Sequence, residues 1–166
     1  MKKRAYVLLV ALLLTLGLTT PALAGRWIWA EGTASSEFDF ADRTTTDIDG
    51  KCRIEIKPYV RHFEGMLVGT GTEDIRVLSQ GPCAGIYPGK YDDRFWFRGT
   101  FEGEVDGRQG TCRYVGQAET WAGAPPIMDV HITLLGCTGE LQGMHGVLYM
   151  GWEDPYWGRI HFAQEH

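Results

Sequence analysis

The feature that most constrains this chain is a turn motif that it uses more than once. Gly103-Glu104-Val105-Asp106-Gly107-Arg108-Gln109-Gly110 is matched further along by Gly139-Glu140-Leu141-Gln142-Gly143-Met144-His145-Gly146. Both fit G-E-[VL]-x-G-x-x-G. A looser copy, Phe63-Glu64-Gly65-Met66-Leu67-Val68-Gly69, echoes Phe101 through Gly107. Glycines so spaced permit positive φ in a tight hairpin link, and the apolar residue between them can tuck beneath the end of a sheet. A chain that repeats a hairpin device is committed to antiparallel strands. Nothing after residue 24 competes with that reading. No dozen residues there hold apolar side chains at helical spacing without Gly or Pro interrupting them.

Turns placed at the motif and at the remaining punctuation predict eight strands, near 27–38, 51–64, 70–80, 93–103, 110–121, 127–138, 145–152 and 157–163. The other turns fall at Asp47-Ile48-Asp49-Gly50, Tyr87-Pro88-Gly89, Gly123-Ala124-Pro125-Pro126 and Asp154-Pro155. Short links make an antiparallel up-and-down meander. Eight strands suffice to close a barrel and remove both sheet edges.

The four cysteines test that layout. Residues paired across a hairpin share one sum of their numbers. Cys112 and Cys137 have their midpoint at 124.5, inside the Gly123–Pro126 turn, and Cys52 and Cys83 have theirs at 67.5, inside the Gly65–Gly69 turn. The expected disulfides are therefore Cys52–Cys83 and Cys112–Cys137, with two other connectivities open. A four-cysteine zinc site fits poorly, because it usually needs closely spaced cysteine pairs and this chain has none.

The segment from Gly136-Cys137-Thr138-Gly139-Glu140-Leu141 to Gly146, together with Phe97-Arg98-Gly99-Thr100-Phe101-Glu102-Gly103 through Gly110-Thr111, resembles the bacterial domain-of-unknown-function family 3224. That family is related in fold to plant allene oxide cyclase. The resemblance covers most of the chain loosely and is tightest over residues 95–147. It implies an eight-stranded, allene oxide cyclase-like, calycin-type barrel with a central cavity, and it allows a homo-oligomer. The matching residues are turn glycines. They carry no cyclase catalytic residue onto this chain, and fold alone does not assign chemistry. The two disulfides and the export signal set this chain apart from relatives that look cytosolic.

The first residues read as an address. Lys2, Lys3 and Arg4 precede the apolar stretch Ala5–Leu18, and Pro21-Ala22-Leu23-Ala24 offers small residues where a signal peptidase reads. Residues 1–24 are expected to be a cleaved signal peptide and 25–166 a single barrel domain, exported to the periplasm or beyond. The apolar stretch is short for a membrane span of roughly 20 residues, so no membrane insertion is expected after cleavage. Cleavage removes three of the 16 basic residues and none of the 21 acidic ones, leaving 13 against 21 and a net charge of −8. An acidic domain without a Lys/Arg cluster argues against nucleic acid and anionic membranes as partners. No Asn occurs, so N-glycosylation is excluded.

Alternation sorts the middle strands into two faces. With Cys112 opposite Cys137, one face holds Tyr114, Gly116, Ala118 and Thr120 with Leu135, Thr133, His131 and Asp129, joined by Phe95, Phe97, Gly99 and Phe101. Its mixture of large aromatics and glycines suits a small barrel interior. The other face carries Trp96, Arg98, Arg113, Val115, Gln117, Glu119, Val130, Ile132 and Leu134. A slip of one residue would exchange the two faces.

On the expected inner face His131 and Asp129 form a candidate acid–base pair at a cavity mouth. Against that stands the plainer role of a hydrogen-bonded histidine beside a strand-end aspartate. Phe95, Phe97, Tyr114, Thr133, His131, Asp129 and Tyr149 are the candidate ligand-binding residues. Glu119 and Tyr149 are weaker catalytic candidates. Trp27, Trp29, Trp96, Trp121, Trp152 and Trp157 could line a pocket, stack on sugars or simply pack. The run Trp152-Glu153-Asp154-Pro155-Tyr156-Trp157 concentrates aromatics and carboxylates at one turn.

Other chemistries fail on pattern. No serine sits in a G-x-S-x-G elbow. Gly69-Thr70-Gly71 lacks a third glycine and a following helix. Asp47-Ile48-Asp49-Gly50 is only half of a calcium loop. No metal or cofactor is expected. The leading expectation is a non-catalytic barrel that binds a small, largely apolar ligand. The alternatives are a filled barrel acting as a protein- or glycan-interaction module, and a cofactor-independent isomerase or cyclase.

Overall fold

The computed structural model describes residues 25–37, 43–86, 90–122, 129–151 and 155–163. Its described strands are β1 (Arg26–Glu37), β2 (Thr44–Ile48), β3 (Lys51–Gly65), β4 (Leu67–Ser79), β5 (Asp93–Val105), β6 (Arg108–Thr120), β7 (Asp129–Gly139), β8 (His145–Met150) and β9 (Pro155–Phe162). All neighbours are antiparallel. The sheet order is β1-β9-β8-β7-β6-β5-β4-β3-β2.

A pairing between β1 and β3 closes eight of these strands into a ring. β1 serves both neighbours in turn: Arg26 to Thr33 pair with β9, and Gly32 to Glu37 pair with β3. The ninth strand, β2, lies where the sequence predicts a link. It runs along Lys51–Glu55 of β3, the part of that edge which β1 leaves uncovered. Its residues are all exposed, so it buries no apolar face. Alternation therefore could not announce it. Its role is to occupy backbone groups that an open edge would leave bare.

The turn repeat does what its composition predicts. Leu67, Val105 and Leu141, the apolar residue of each copy, are all 0% exposed. They plug one end of the ring together with Met144, Phe101 and Phe63. The β5–β6 link is the two-residue Asp106-Gly107, with φ of 51° and 79°. Both values are left-handed, as a type I′ hairpin requires. The pairing that follows is unbroken from Val105↔Arg108 to Asp93↔Thr120.

The two expected disulfides are formed, Cys52–Cys83 and Cys112–Cys137. They indicate a non-cytoplasmic, oxidising compartment. Cys112 and Cys137 do face each other across β6 and β7. Cys83 does not face Cys52 across a hairpin, because the partner of Cys52 in β4 is Ser79. Cys83 lies in the segment after β4, tied back to β3 by the disulfide. The Cys52–Cys83 pairing is as expected and the hairpin geometry behind it is not.

Register also corrects the two faces. β5 and β6 turn Phe97, Phe101, Cys112, Tyr114 and Ala118 inward, as expected. In β7 the interior residues are Val130, Ile132 and Leu134, while Asp129, His131 and Thr133 are exposed. The reason is a bulge. Thr111 pairs with Thr138 but Arg113 pairs with Leu135, so Cys112 faces both Gly136 and Cys137. Gly136 takes the extra step at φ 57°. Beyond it every side chain of β7 has changed face. The expected signal residues 1–24, the Tyr87-Pro88-Gly89 and Gly123–Pro126 turns, and Trp152-Glu153-Asp154 lie outside the described residues.

Candidate functional site

The interior is layered. Nearest the end where β4, β6 and β8 finish, the buried polar side chains Ser79, Asp93 and Thr120 sit beside the buried Cys52 and Met150, with Thr120 Oγ1 donating to Asp93 Oδ2 at 3.4 Å. A groove of about 470 Å³ opens there, bordered by Asp93, Thr120, Lys51, Gln80, Arg94 and Trp121. Below it come two apolar layers. Register aligns Ile54, Val77, Phe95 and Ala118 in the first, and Ile56, Ile75, Phe97 and Gly116 in the second. The next layer is polar again. Tyr59, Glu73, Gly99 and Tyr114 lie side by side, with Arg61 one step further in.

Arg61 and Glu73 form a buried ion pair, Nε to Oε1 at 2.7 Å. Tyr114 donates its hydroxyl to the same Oε1 at 2.9 Å. Arg61 Nη1 also reaches Met150 Sδ at 3.8 Å, and its guanidinium lies 5.2 Å from the centre of the Tyr59 ring. Two donors thus converge on one carboxylate oxygen. The other, Oε2, is buried and has no hydrogen-bond partner among the described residues. Gly99 makes the arrangement sterically feasible: a Cβ there would lie 2.7 Å from the Tyr114 hydroxyl.

Electrostatics ties the three together. Burial, and next to it the negative charge of Glu73, push the Tyr114 phenol well above its ordinary value. Tyr114 is therefore a fixed donor. Burial works against the Arg61 charge, but the Glu73 carboxylate beside it outweighs this and holds the guanidinium protonated more firmly than in water. Charge pairs so placed are strongly interdependent, because removing either leaves the other buried alone.

Of the ligand candidates, the structure gathers Phe95, Phe97 and Tyr114 inside and puts Thr133, His131, Asp129 and Tyr149 on the outer surface. His131 and Asp129 do meet, Nε2 to Oδ1 at 3.1 Å, but in the open, with side chains 45% and 63% exposed. The pair borders an outer groove of about 430 Å³ with Arg94, Trp96, Gln117, Glu119 and Trp121. Register extends this row: Trp96, Gln117, His131, Tyr149 and Trp157 are successive cross-strand neighbours. Tyr149 stacks on Trp157 at 6.4 Å and meets His131 edge-on at 4.8 Å.

Arg61 and Glu73 are absent from the candidates that the sequence supplies. A signal for them exists, since Glu73 has the same parity as Ile75 and Val77, and a charge at an inward position needs a partner.

No protein-family model matches the chain, and no curated protein sequence matches it. Among solved structures, the chain is similar to the crystal structure of a protein with unknown function from the DUF3224 family of Shewanella oneidensis MR-1. The TM-score is 0.53 at 15% identity, covering 86% of this chain and 98% of that one. At that identity the likeness shows a shared fold.

Proposed function

We propose that this protein is an exported, non-catalytic binding protein that takes a small, largely apolar ligand into the polar-rimmed end of its ring. On this reading the ring is an allene oxide cyclase-like barrel of calycin type. One observation carries the proposal. Ile54, Ile56, Ile75 and Phe97 keep 6–8% of their surface accessible although they point inward, whereas Leu67, Val105 and Leu141 at the other end keep none. On this reading the residual exposure of these four side chains faces a space between them. Buried apolar area supplies the affinity, roughly 25 cal/mol per Å² before the costs of binding.

Loading with an apolar fluorescent probe tests this. The expected result is saturable uptake, displaced by a competing alkane and abolished in Ile75→Trp, which fills the second layer. A wild-type protein that gives no saturable signal would exclude the reading.

The outer row supports a second reading, a glycan-interaction surface. Exposed, nearly parallel Tyr149 and Trp157 rings flanked by Gln117 and His131 present apolar faces beside hydrogen-bonding groups, which is what a pyranose ring needs. Binding to immobilised polysaccharide that is lost in Trp157→Ala, with apolar probe uptake retained, would support it.

A further inference from the structure

Going beyond the interior-ligand reading, and resting on export with cleavage after Ala24, we infer that the outer face of β1, β8 and β9 holds a site for a divalent copper ion. Its ligands are His145, His161 and the α-amino group that cleavage leaves on Gly25. Strand pairing brings them together. His145 of β8 is directly opposite His161 of β9, and His161 is directly opposite Trp27 of β1. Opposed residues of neighbouring strands have Cβ atoms about 4.5–5.5 Å apart, near enough for two imidazoles to share one ion. The two imidazole ring centres are 4.8 Å apart. Trp27 lies 4.9 Å from His161 and, across the intervening strand, 5.8 Å from His145. The Trp27 and His145 rings therefore both lean over β9 toward His161. His145 is exposed and His161 half-buried, so an ion reaches the pair directly from solvent.

The ring nitrogens are sorted as a metal needs them. His145 Nδ1 lies 3.4 Å from the Gly143 carbonyl oxygen. A proton on Nδ1 donates to that oxygen and leaves Nε2 with its lone pair, the arrangement by which backbone carbonyls orient metal-binding histidines. His161 Nδ1 is buried without a hydrogen-bond partner among the described residues, and its Nε2 is turned to Gly25. The imidazole occupies the space that a side chain on residue 25 would take, since a Cβ there would meet Cε1 and Nε2. The Gly25 nitrogen is two bonds from that Cβ position. In the precursor it is an amide with no lone pair to give. After cleavage it is an amine, which binds a metal by shedding its proton. No group of three or more His, Cys, Asp or Glu among the described residues could hold a metal ion. The third ligand is instead made by processing, so the unexported precursor lacks it. Three nitrogens without a thiolate or carboxylate suit copper(II), which such a set binds more tightly than the other divalent first-row ions. The four cysteines are held in disulfides and offer no competing thiolate.

The exported protein, its N-terminus read by intact mass, is titrated with Cu2+ alone and followed by tryptophan fluorescence and electron paramagnetic resonance. The expected result is one tightly held equivalent, a spectrum with nitrogen hyperfine coupling, and quenching that shrinks in Trp27→Phe while the affinity holds. His145→Ala and His161→Ala should each weaken binding at least about tenfold. A chain beginning at Leu23, with the same disulfides, keeps every side chain of the site and displaces only the amine. It should lose affinity by a similar factor. Mature protein that begins at Gly25 and takes up no stoichiometric Cu2+, or binds it equally well in both histidine variants, would overturn the site and leave export standing. Unchanged affinity in the chain beginning at Leu23 would overturn the amine as a ligand. An exported protein that begins elsewhere would overturn the cleavage reading and, with it, the three-nitrogen site.

Discussion

The two ends of the ring are built on opposite principles. At one end the links are minimal: Met66 alone between β3 and β4, Asp106-Gly107 between β5 and β6, and 140–144 between β7 and β8. Each link region delivers an apolar side chain to the axis, and the three are sealed from solvent. At the other end the links are longer, 80–92 between β4 and β5 and 121–128 between β6 and β7, and the rim mixes buried polar Ser79, Asp93 and Thr120 with buried Cys52 and Met150. Short hairpins supply stability and leave nothing to vary. Longer connections are where binding sites in small domains commonly arise. The Arg61–Glu73–Tyr114 cluster lies between the two regimes, as floor to one and lid to the other.

Four comparisons would sharpen or break this contrast. The largest effect is expected for Arg61→Ala, which leaves Glu73 buried and unpaired. Denaturant unfolding should show a loss of about 3–5 kcal/mol, and the double variant Arg61→Met/Glu73→Leu should recover much of it. If Arg61→Ala proves mild, the cluster is better hydrated than its burial indicates.

Next comes a matched pair of truncations. Leu141→Ala at the sealed end should cost about 2–5 kcal/mol, and, if the proposed ligand space borders Ile75, Ile75→Ala should fall at or below the bottom of that range. Equal losses would dissolve the distinction between the ends.

Tyr114→Phe should cost about 1.5–3 kcal/mol, the value of a hydrogen bond to a charged acceptor. It also carries a pH signature. The folded pKa of Tyr114 is raised above its unfolded value near 10. Its contribution is therefore complete below about pH 10 and is lost as pH rises above that, at about 1.4 kcal/mol per pH unit. Stability measured from pH 9 to 11 should fall less steeply in Tyr114→Phe than in wild type. Tyr156, raised for the same reason of burial, retains part of the slope.

The smallest effect belongs to the outer face. His131→Ala breaks a contact between side chains that are both largely in water, so chemical denaturation should shift by less than about 0.5 kcal/mol. A loss of several kcal/mol would return His131 to the interior that its parity suggests.

Much of the architecture is readable in the sequence. The hairpin repeat marks Leu67, Val105 and Leu141 as end plugs, and cysteine spacing points to both disulfides, though for Cys52–Cys83 through a hairpin facing that the structure does not have, since Cys52 faces Ser79. The candidate site is legible in part. Phe95, Phe97 and Tyr114 are correctly assigned to the interior because β5 and β6 pair without interruption. His131, Asp129 and Thr133 are misassigned because one bulge at Gly136 inverts β7, and a bulge changes neither composition nor period. Tyr149 and Trp157 lie on different strands and stack only because β8 and β9 pair.

What the sequence determined by itself is local: strand-forming runs, turn chemistry, an oxidising destination, and the alternation that commits each residue to one of two faces. These follow from φ preferences and side-chain period, which act over short stretches. What the tertiary structure alone decided is relative: which face of β7 looks inward, how β2 covers the edge of β3, and that Arg61 of β3, Glu73 of β4 and Tyr114 of β6 meet at a single oxygen. Such facts depend on register summed across several strands and on the desolvation of charges by neighbours distant in sequence. Neither quantity is carried by any one segment of the chain.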